Sequence, residues 1–257
     1  MSISSHHRLT AALVLLVLGL SNGAAQRGNP PQASGPFQRL SGLFQQQRDA
    51  LGGRALTAGK EQSIYAGEFL DGITGKRLPL RIVHQAPGLV RLEGLNSPQS
   101  VVVFDGKRAS GVLTKTDELL LETFTGDTAE GMFDALQGAS AFRFLGARFA
   151  PQMPGSAGAP SDIFEVMAPI PPRTDQLARI KLYYFDSDTG LLQKTRYEDQ
   201  TVSPAVKVET RFSQWRRLDD SMYAGRIERF ENGRLIFSFN AATVGAGAKV
   251  DAGKFGQ

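Results

Sequence analysis

The stretch from Arg179 to Trp215 limits what this chain can fold into more than any other. Within it, Val206, Val208, Thr210 and Phe212 alternate with Lys207, Glu209, Arg211 and Ser213. A period of two sends the two sets to opposite faces of a strand, so the segment reads as antiparallel strand with one dry and one wet side. Two runs rich in aromatic and β-branched residues precede it, Ile180 to Phe185 and Leu191 to Tyr197. Asp186, Ser187, Asp188, Thr189 and Gly190 lie between them and predict a hairpin turn. Asp186-x-Asp188-x-Gly190 also matches the opening of a calcium loop. The later ligands of that loop are missing, and turn chemistry explains every residue present.

The rest of the chain repeats this grammar. From Glu61 onward the pattern predicts strands over Ser63–Leu70, Leu78–Gln85, Leu89–Leu95, Ser100–Asp105 and Arg108–Thr114. Further strands are predicted over Phe142–Phe149, Ile163–Met167, Met222–Phe230 and Arg234–Asn240, with Asn232-Gly233 as the strongest hairpin signal. Phe37, Leu40, Phe44 and Leu51 recur at helical spacing and predict an amphipathic helix ending at Gly52-Gly53. Thr128–Gly138 predicts a second, short helix with Met132, Phe133 and Leu136 turned inward. No βαβ alternation is present, so a parallel sheet is not expected.

The N-terminus carries an address. A short basic start to Arg8, an apolar run from Leu9 to Leu20 and a small, polar Ser21–Ala25 form the three regions of a secretory signal peptide. The apolar run is too short for a spanning helix, which needs roughly 20 residues. Residues 1–25 are predicted to be cleaved and 26–35, rich in Pro and Gly, to be a disordered spacer. Neither later Pro-rich break forces a boundary, so 36–257 is predicted to be one domain. Cleavage removes Arg8 and no acid, lowering the formal charge from +4 to +3. The charges form no basic block, which argues against nucleic acid as a partner.

Catalytic signatures are scarce. The chain has no Cys, and residues 26–257 contain a single histidine, His84. Disulfides, thiol chemistry and a zinc site are therefore not expected, and a Ser–His–Asp triad would have to use His84. Asp219-Asp220 and Glu228 with Glu231 could pair as acid and base, but they suit solvated turns better. No phosphate loop, dinucleotide fingerprint or nucleophile elbow occurs. The chain is read as a non-enzyme without cofactor or metal. What stands out is aromatic content on both faces of the strands, notably Tyr183, Tyr184 and Phe185. A second apolar face must be covered by helices or line a ligand cavity.

Leu182–Leu192 (LYYFDSDTGLL), Val208–Trp215 (VETRFSQW), Arg217–Asp220 and Met222-Tyr223 follow one another in an order that resembles the C-terminal half of LolA-like proteins, the outer-membrane lipoprotein-sorting relatives. Asn240, Asp251 and Phe255 match that family's tail, and Phe104-Asp105-Gly106 its upstream strand turn. Asp220 stands where the family usually has Gly, and Tyr223 lies near its usual Pro. The resemblance implies a highly curved antiparallel sheet, an incomplete barrel of about 11 strands, with two or three helices covering the open side. It also implies a periplasmic, monomeric carrier of lipids or lipoprotein acyl chains, with a possible inner- or outer-membrane partner protein. Phe69, Ile82, Leu92, Phe104, Phe144, Tyr183, Phe185, Phe212 and Tyr223 are the expected cavity residues. Phe37, Leu40 and Phe44, with Met132, Phe133 and Leu136, are the expected lid residues. The alternative is an envelope protein-interaction or stress-sensing module without a lipid ligand.

Overall fold

The computed structural model describes residues 61–85, 88–94, 100–106, 108–129, 132, 143–150, 160–168, 179–218, 221–248 and 255. The chain begins with a meander: β1 (Glu61–Asp71), β2 (Arg77–Gln85), β3 (Leu89–Glu93), β4 (Val101–Asp105) and β5 (Ala109–Ser110). A helix, α1 (Lys115–Gly126), comes next. A second meander contains β6 (Arg143–Ala150), β7 (Ser161–Ala168), β8 (Arg179–Asp186), β9 (Leu192–Asp199) and β10 (Val206–Ser213). The short β11 (Arg216–Leu218) and β12 (Ser221–Tyr223) pair only with each other, and β13 (Arg226–Glu231) and β14 (Arg234–Ala248) follow.

Twelve strands share one antiparallel sheet in the order β5-β4-β3-β2-β1-β14-β13-β10-β9-β8-β7-β6. The first meander runs outward to one edge at β5, and the second starts at the opposite edge at β6. The sheet is not closed. The connection between its edges carries α1, so the helix is placed on the crossover that links the two meanders. At the centre, β1 and the 15-residue β14 form the longest ladder. Its register slips between Ala66 and Gly67, where a Cβ on Gly67 would sit 1.9 Å from the Asn240 carbonyl oxygen. Only glycine permits that approach.

The turns follow their chemistry. Asp186 Oδ1 accepts from the backbone amides of Asp188 (3.0 Å) and Thr189 (2.8 Å), and Gly190 takes φ 72°. Asp71 builds the β1–β2 turn in the same way, accepting from the amides of Ile73 and Thr74, with Gly75 at φ 73°. Asn232 and Gly233 both have positive φ, 48° and 80°, as a two-residue hairpin with the strand twist requires. Phe255 closes the tail over Val83, Leu89 and Val103, and its carbonyl accepts from Arg91 at 3.2 Å.

Two expectations change. Among the described residues one complete helix accompanies the sheet, where two or three were expected, and it lies at Lys115–Gly126, where no element was predicted; Ala129 and Met132 are also helical. Residues from Asp117 to Gly126 are buried almost all round, so α1 lacks the polar face that gives a helical period. The helix predicted at 37–51 lies outside the described residues, as does most of Thr128–Gly138. Second, the predicted strand Arg108–Thr114 shrinks to Ala109–Ser110. Gly111, at φ 101°, turns the chain, and Thr114 instead caps α1. Among the described residues the sheet's twelve strands accord with the expected number of about 11, and the short β11 and β12 stand outside it.

Candidate functional site

The face of the sheet under α1 is the candidate site. Strand alternation selects its side chains. On β8, Arg179, Lys181, Tyr183 and Phe185 are buried, while Ile180 is exposed and Leu182 and Tyr184 are half-buried. On β10, Val208, Thr210 and Phe212 are buried, as their period of two predicts. The central strands contribute Tyr65 and Phe69 from β1, Ile82 from β2, Leu92 from β3, Phe104 from β4, and Phe237 and Phe239 from β14.

α1 closes this apolar surface. Thr114 and Asp117 form its capping box: the Asp117 amide donates to Thr114 Oγ1 (3.2 Å), and the Thr114 amide to Asp117 Oδ2 (2.8 Å). Leu119, Leu120, Leu121 and Phe124 then pack into the sheet. Phe124 meets Tyr65 edge-on at 5.9 Å and Phe239 at 6.4 Å, and Phe164 meets Phe185 at 5.4 Å. These spacings are those of favourable aromatic pairs.

Beside that apolar surface, at the C-terminal end of α1, lies a buried ionic cluster. Glu122 Oε1 accepts from the Arg179 guanidinium and from the Tyr197 hydroxyl (2.8 Å), and Oε2 from Arg229 (3.2 Å). Lys181 Nζ donates to Asp127 Oδ1 and to the Gly126 carbonyl (3.2 Å), and Tyr183 donates to the same carbonyl. Thr210 donates to Asp127 Oδ2 (2.7 Å), and Thr195 to the Asp127 carbonyl (2.8 Å). A cation at the helix C-terminus also meets the negative end of the helix dipole. Burial alone would raise the Glu122 carboxyl, but the charges of Arg229, Lys181 and Arg179 and the Tyr197 hydrogen bond outweigh it, and its pKa is lowered. Burial, reinforced by Asp127 and Glu122, pushes the Tyr183 phenol well above its ordinary value. Burial likewise raises Tyr197. Both phenols stay protonated and serve as donors. Each carboxylate is held by several donors, so the arrangement pins the end of α1 to β8, β9, β10 and β13.

Eight of the nine expected cavity residues meet in this one cluster: Phe69, Ile82, Leu92, Phe104, Tyr183, Phe185, Phe212 and Tyr223. Phe144 lies in β6 opposite Val166. Met132, of the expected lid residues, is buried in the same cluster. Phe37, Leu40, Phe44, Phe133 and Leu136 lie outside the described residues. Sequence reasoning missed the α1 side chains and the ionic cluster. The signals existed: Thr114-x-x-Asp117 ahead of three leucines is a capping box, and Lys181 and Arg229 share strand faces with Tyr183 and Ile227. His84 is buried at the end of β2, where burial lowers its pKa to about 4. Glu228 and Glu231, the paper acid pair, bond Arg226 (2.7 Å) and Arg229 (3.2 Å) instead.

The molecule is thus an open antiparallel sheet whose helix-covered face is apolar over its centre and ionic at the C-terminal end of that helix. No protein-family model matches the chain, and no curated protein matches it either. Solved structures do, and the likeness is one of fold. A LolA superfamily protein from Nitrosomonas europaea aligns with a TM-score of 0.55 at 6% identity, covering 83% of this chain and 96% of that one. A putative outer membrane lipoprotein-sorting protein domain from Vibrio parahaemolyticus aligns at 0.45, with 10% identity over 82% and 97% of the two chains. A DUF1329 family protein from Desulfovibrio piger aligns at 0.41, with 10% identity over 83% and 96%.

Proposed function

We propose that the protein is an exported, non-catalytic carrier or binding protein for lipids or the acyl chains of lipoproteins, taken up between α1 and the sheet. The observation that carries this reading is the helix-covered apolar face. Residues from eleven strands and α1 form one continuous apolar cluster there. Acyl chains gain about 0.8 kcal/mol per methylene buried, so a ligand that replaces Leu119, Leu120, Leu121 and Phe124 against the sheet can compensate for their displacement. The ionic cluster holds the C-terminal end of α1, which leaves the N-terminal end, where Lys115 is exposed and Glu118 half-buried, as the end that lifts. The segments bearing Phe37, Leu40 and Phe44, and Met132, Phe133 and Leu136, remain candidate lids.

The predicted signal peptide and the likeness to the LolA superfamily support a bacterial periplasmic location and a membrane-associated donor or acceptor protein. Absence of catalysis is supported by the ionic cluster, whose carboxylates are occupied by neighbouring donors. Native mass spectrometry of protein purified from its own host is the test. Bound lipid or acylated peptide, released on denaturation, is the expected result. Ligand-free protein that also fails to take up fluorescent fatty acids, while retaining a protein partner in a pull-down, would replace the carrier with the interaction-module reading.

A further inference from the structure

The opposite face of the sheet has its own concavity, a groove of about 680 Å³ framed by β6–β10 and β13. None of the fifteen residues expected to line a cavity or lid borders it. Its volume lies within the range of small-molecule sites, about 300–1,000 Å³. Ile180 and Leu182 on β8 and Phe230 on β13 give it apolar lining, and Ile180 is 48% exposed.

Strand register gives the groove a polarity. Leu182 pairs with Arg196, Arg196 with Glu209, and Glu209 with Phe230. One row along, Tyr184 pairs with Lys194 and Lys194 with Arg211. Three cations therefore gather around one carboxylate at this corner. Glu209 is already engaged by both Arg196 and Arg211. Lys194 and Arg196 both stack on the Tyr184 ring. Burial lowers the Lys194 pKa, and the charges of Arg196 and Arg211 lower it further against the opposing pull of Glu209. Arg148 and Lys207 on the rim have no ion pair among the described residues. Glu165 and Glu198 also border the groove, two strands and two residues away from Arg196 respectively. The cationic excess is thus local to the Lys194–Arg196–Arg211 corner, beside the Leu182–Ile180 floor.

The backbone narrows the choice of occupant. β8, β9 and β10 are each paired on both sides, so no main-chain edge opens on the groove floor, and the free edge at β6 lies two strands away from Ile180 and Leu182. An occupant must be held by side chains, with an apolar part on the floor and a negative part at the corner. We propose that this groove binds a single-tailed amphiphile with an anionic headgroup, its tail along Ile180 and Leu182 and its head at Arg196 and Arg211. The site is separate from the face under α1 and stands or falls independently of the carrier reading.

Methyl NMR of the full chain, titrated with dodecyl phosphate below its micelle concentration, tests this. The expected result is saturable shifts at Ile180 and Leu182. Dodecyl maltoside should bind more weakly by about tenfold or more, R211A should weaken dodecyl phosphate by about tenfold, and inorganic phosphate should leave Ile180 unmoved. The Arg211 side chain is 54% exposed, so its removal should be tolerated. If R211A does not fold, Ile180→Asn is the second variant and should weaken the tail contact. Equal affinity for the neutral detergent, equal affinity for phosphate alone, or unchanged binding by the folded variant would each overturn the proposal. So would shifts confined to Ile82, Leu92 and Leu120, which report the face under α1. Shifts at Ile180 and Leu182 alone would uphold this site whatever becomes of the other.

Discussion

Lys181 and Asp127 form an ion pair in which neither side chain has any solvent exposure. Lys181 belongs to β8, and Asp127 ends α1, so this contact fastens the crossover helix to the second meander. Burying two charges is costly unless both are paired and hydrogen-bonded. Here the Gly126 carbonyl and Thr210 complete the shell.

Lys181→Met leaves Asp127 buried without its ammonium partner. It should lower stability by about 3–5 kcal/mol, measured by urea unfolding. Asp127→Leu should cost a similar amount. The double variant should cost less than the sum of the two, because each single change leaves a charge stranded.

Glu122→Gln tests the same cluster by pH. The Glu122 pKa is lowered from 4.5, so its charge stabilises the fold above about that pH, and the contribution is lost as pH falls through the folded value. The variant should be less stable at neutral pH. The gap to wild type should narrow below pH 4.5.

His84 sets a second window. Its pKa falls from 6.5 to about 4 on folding because burial disfavours the charged ring. The neutral ring is fully compatible with folding above pH 6.5, and stability is lost as pH drops from there to about 4. The full loss is about 3 kcal/mol. Urea unfolding of wild type against His84→Leu, from about pH 7.5 to about pH 4, should show wild type losing that much relative to the variant.

Two glycines separate crowding from backbone strain. Gly67→Ala drives a methyl into the Asn240 carbonyl and should lower stability by about 3 kcal/mol, the upper end for overpacking. Gly75→Ala meets open space and only its φ of 73° opposes it, so about 1–2 kcal/mol is expected. Thermal unfolding with matched calorimetry measures both.

Much of the sheet was legible because each strand with one dry face writes that fact in alternate residues, as Val208, Thr210 and Phe212 do. The turns at Asp186–Gly190 and Asn232-Gly233 were legible because their backbone angles demand particular residues. α1 was not, because a helix buried on nearly every side shows no period. The ionic cluster was hidden for a different reason. Lys181 and Arg229 look like ordinary solvated charges until partners more than 50 residues away, Asp127 and Glu122, are folded against them. The aromatic doubling around Tyr184 also has a local answer: Tyr183 and Phe185 face the core, while Tyr184 lies under Lys194 and Arg196.

A nitroxide-labelled fatty acid, with methyl NMR as the readout, tests the carrier function most directly. Paramagnetic broadening should fall on Ile82, Leu92 and Leu120 under α1, and unlabelled fatty acid should reverse it. Exposed Ile73 and Val112 should keep sharp signals. Folded protein whose Ile82, Leu92 and Leu120 signals stay sharp at saturating ligand would contradict a lipid site beneath the helix.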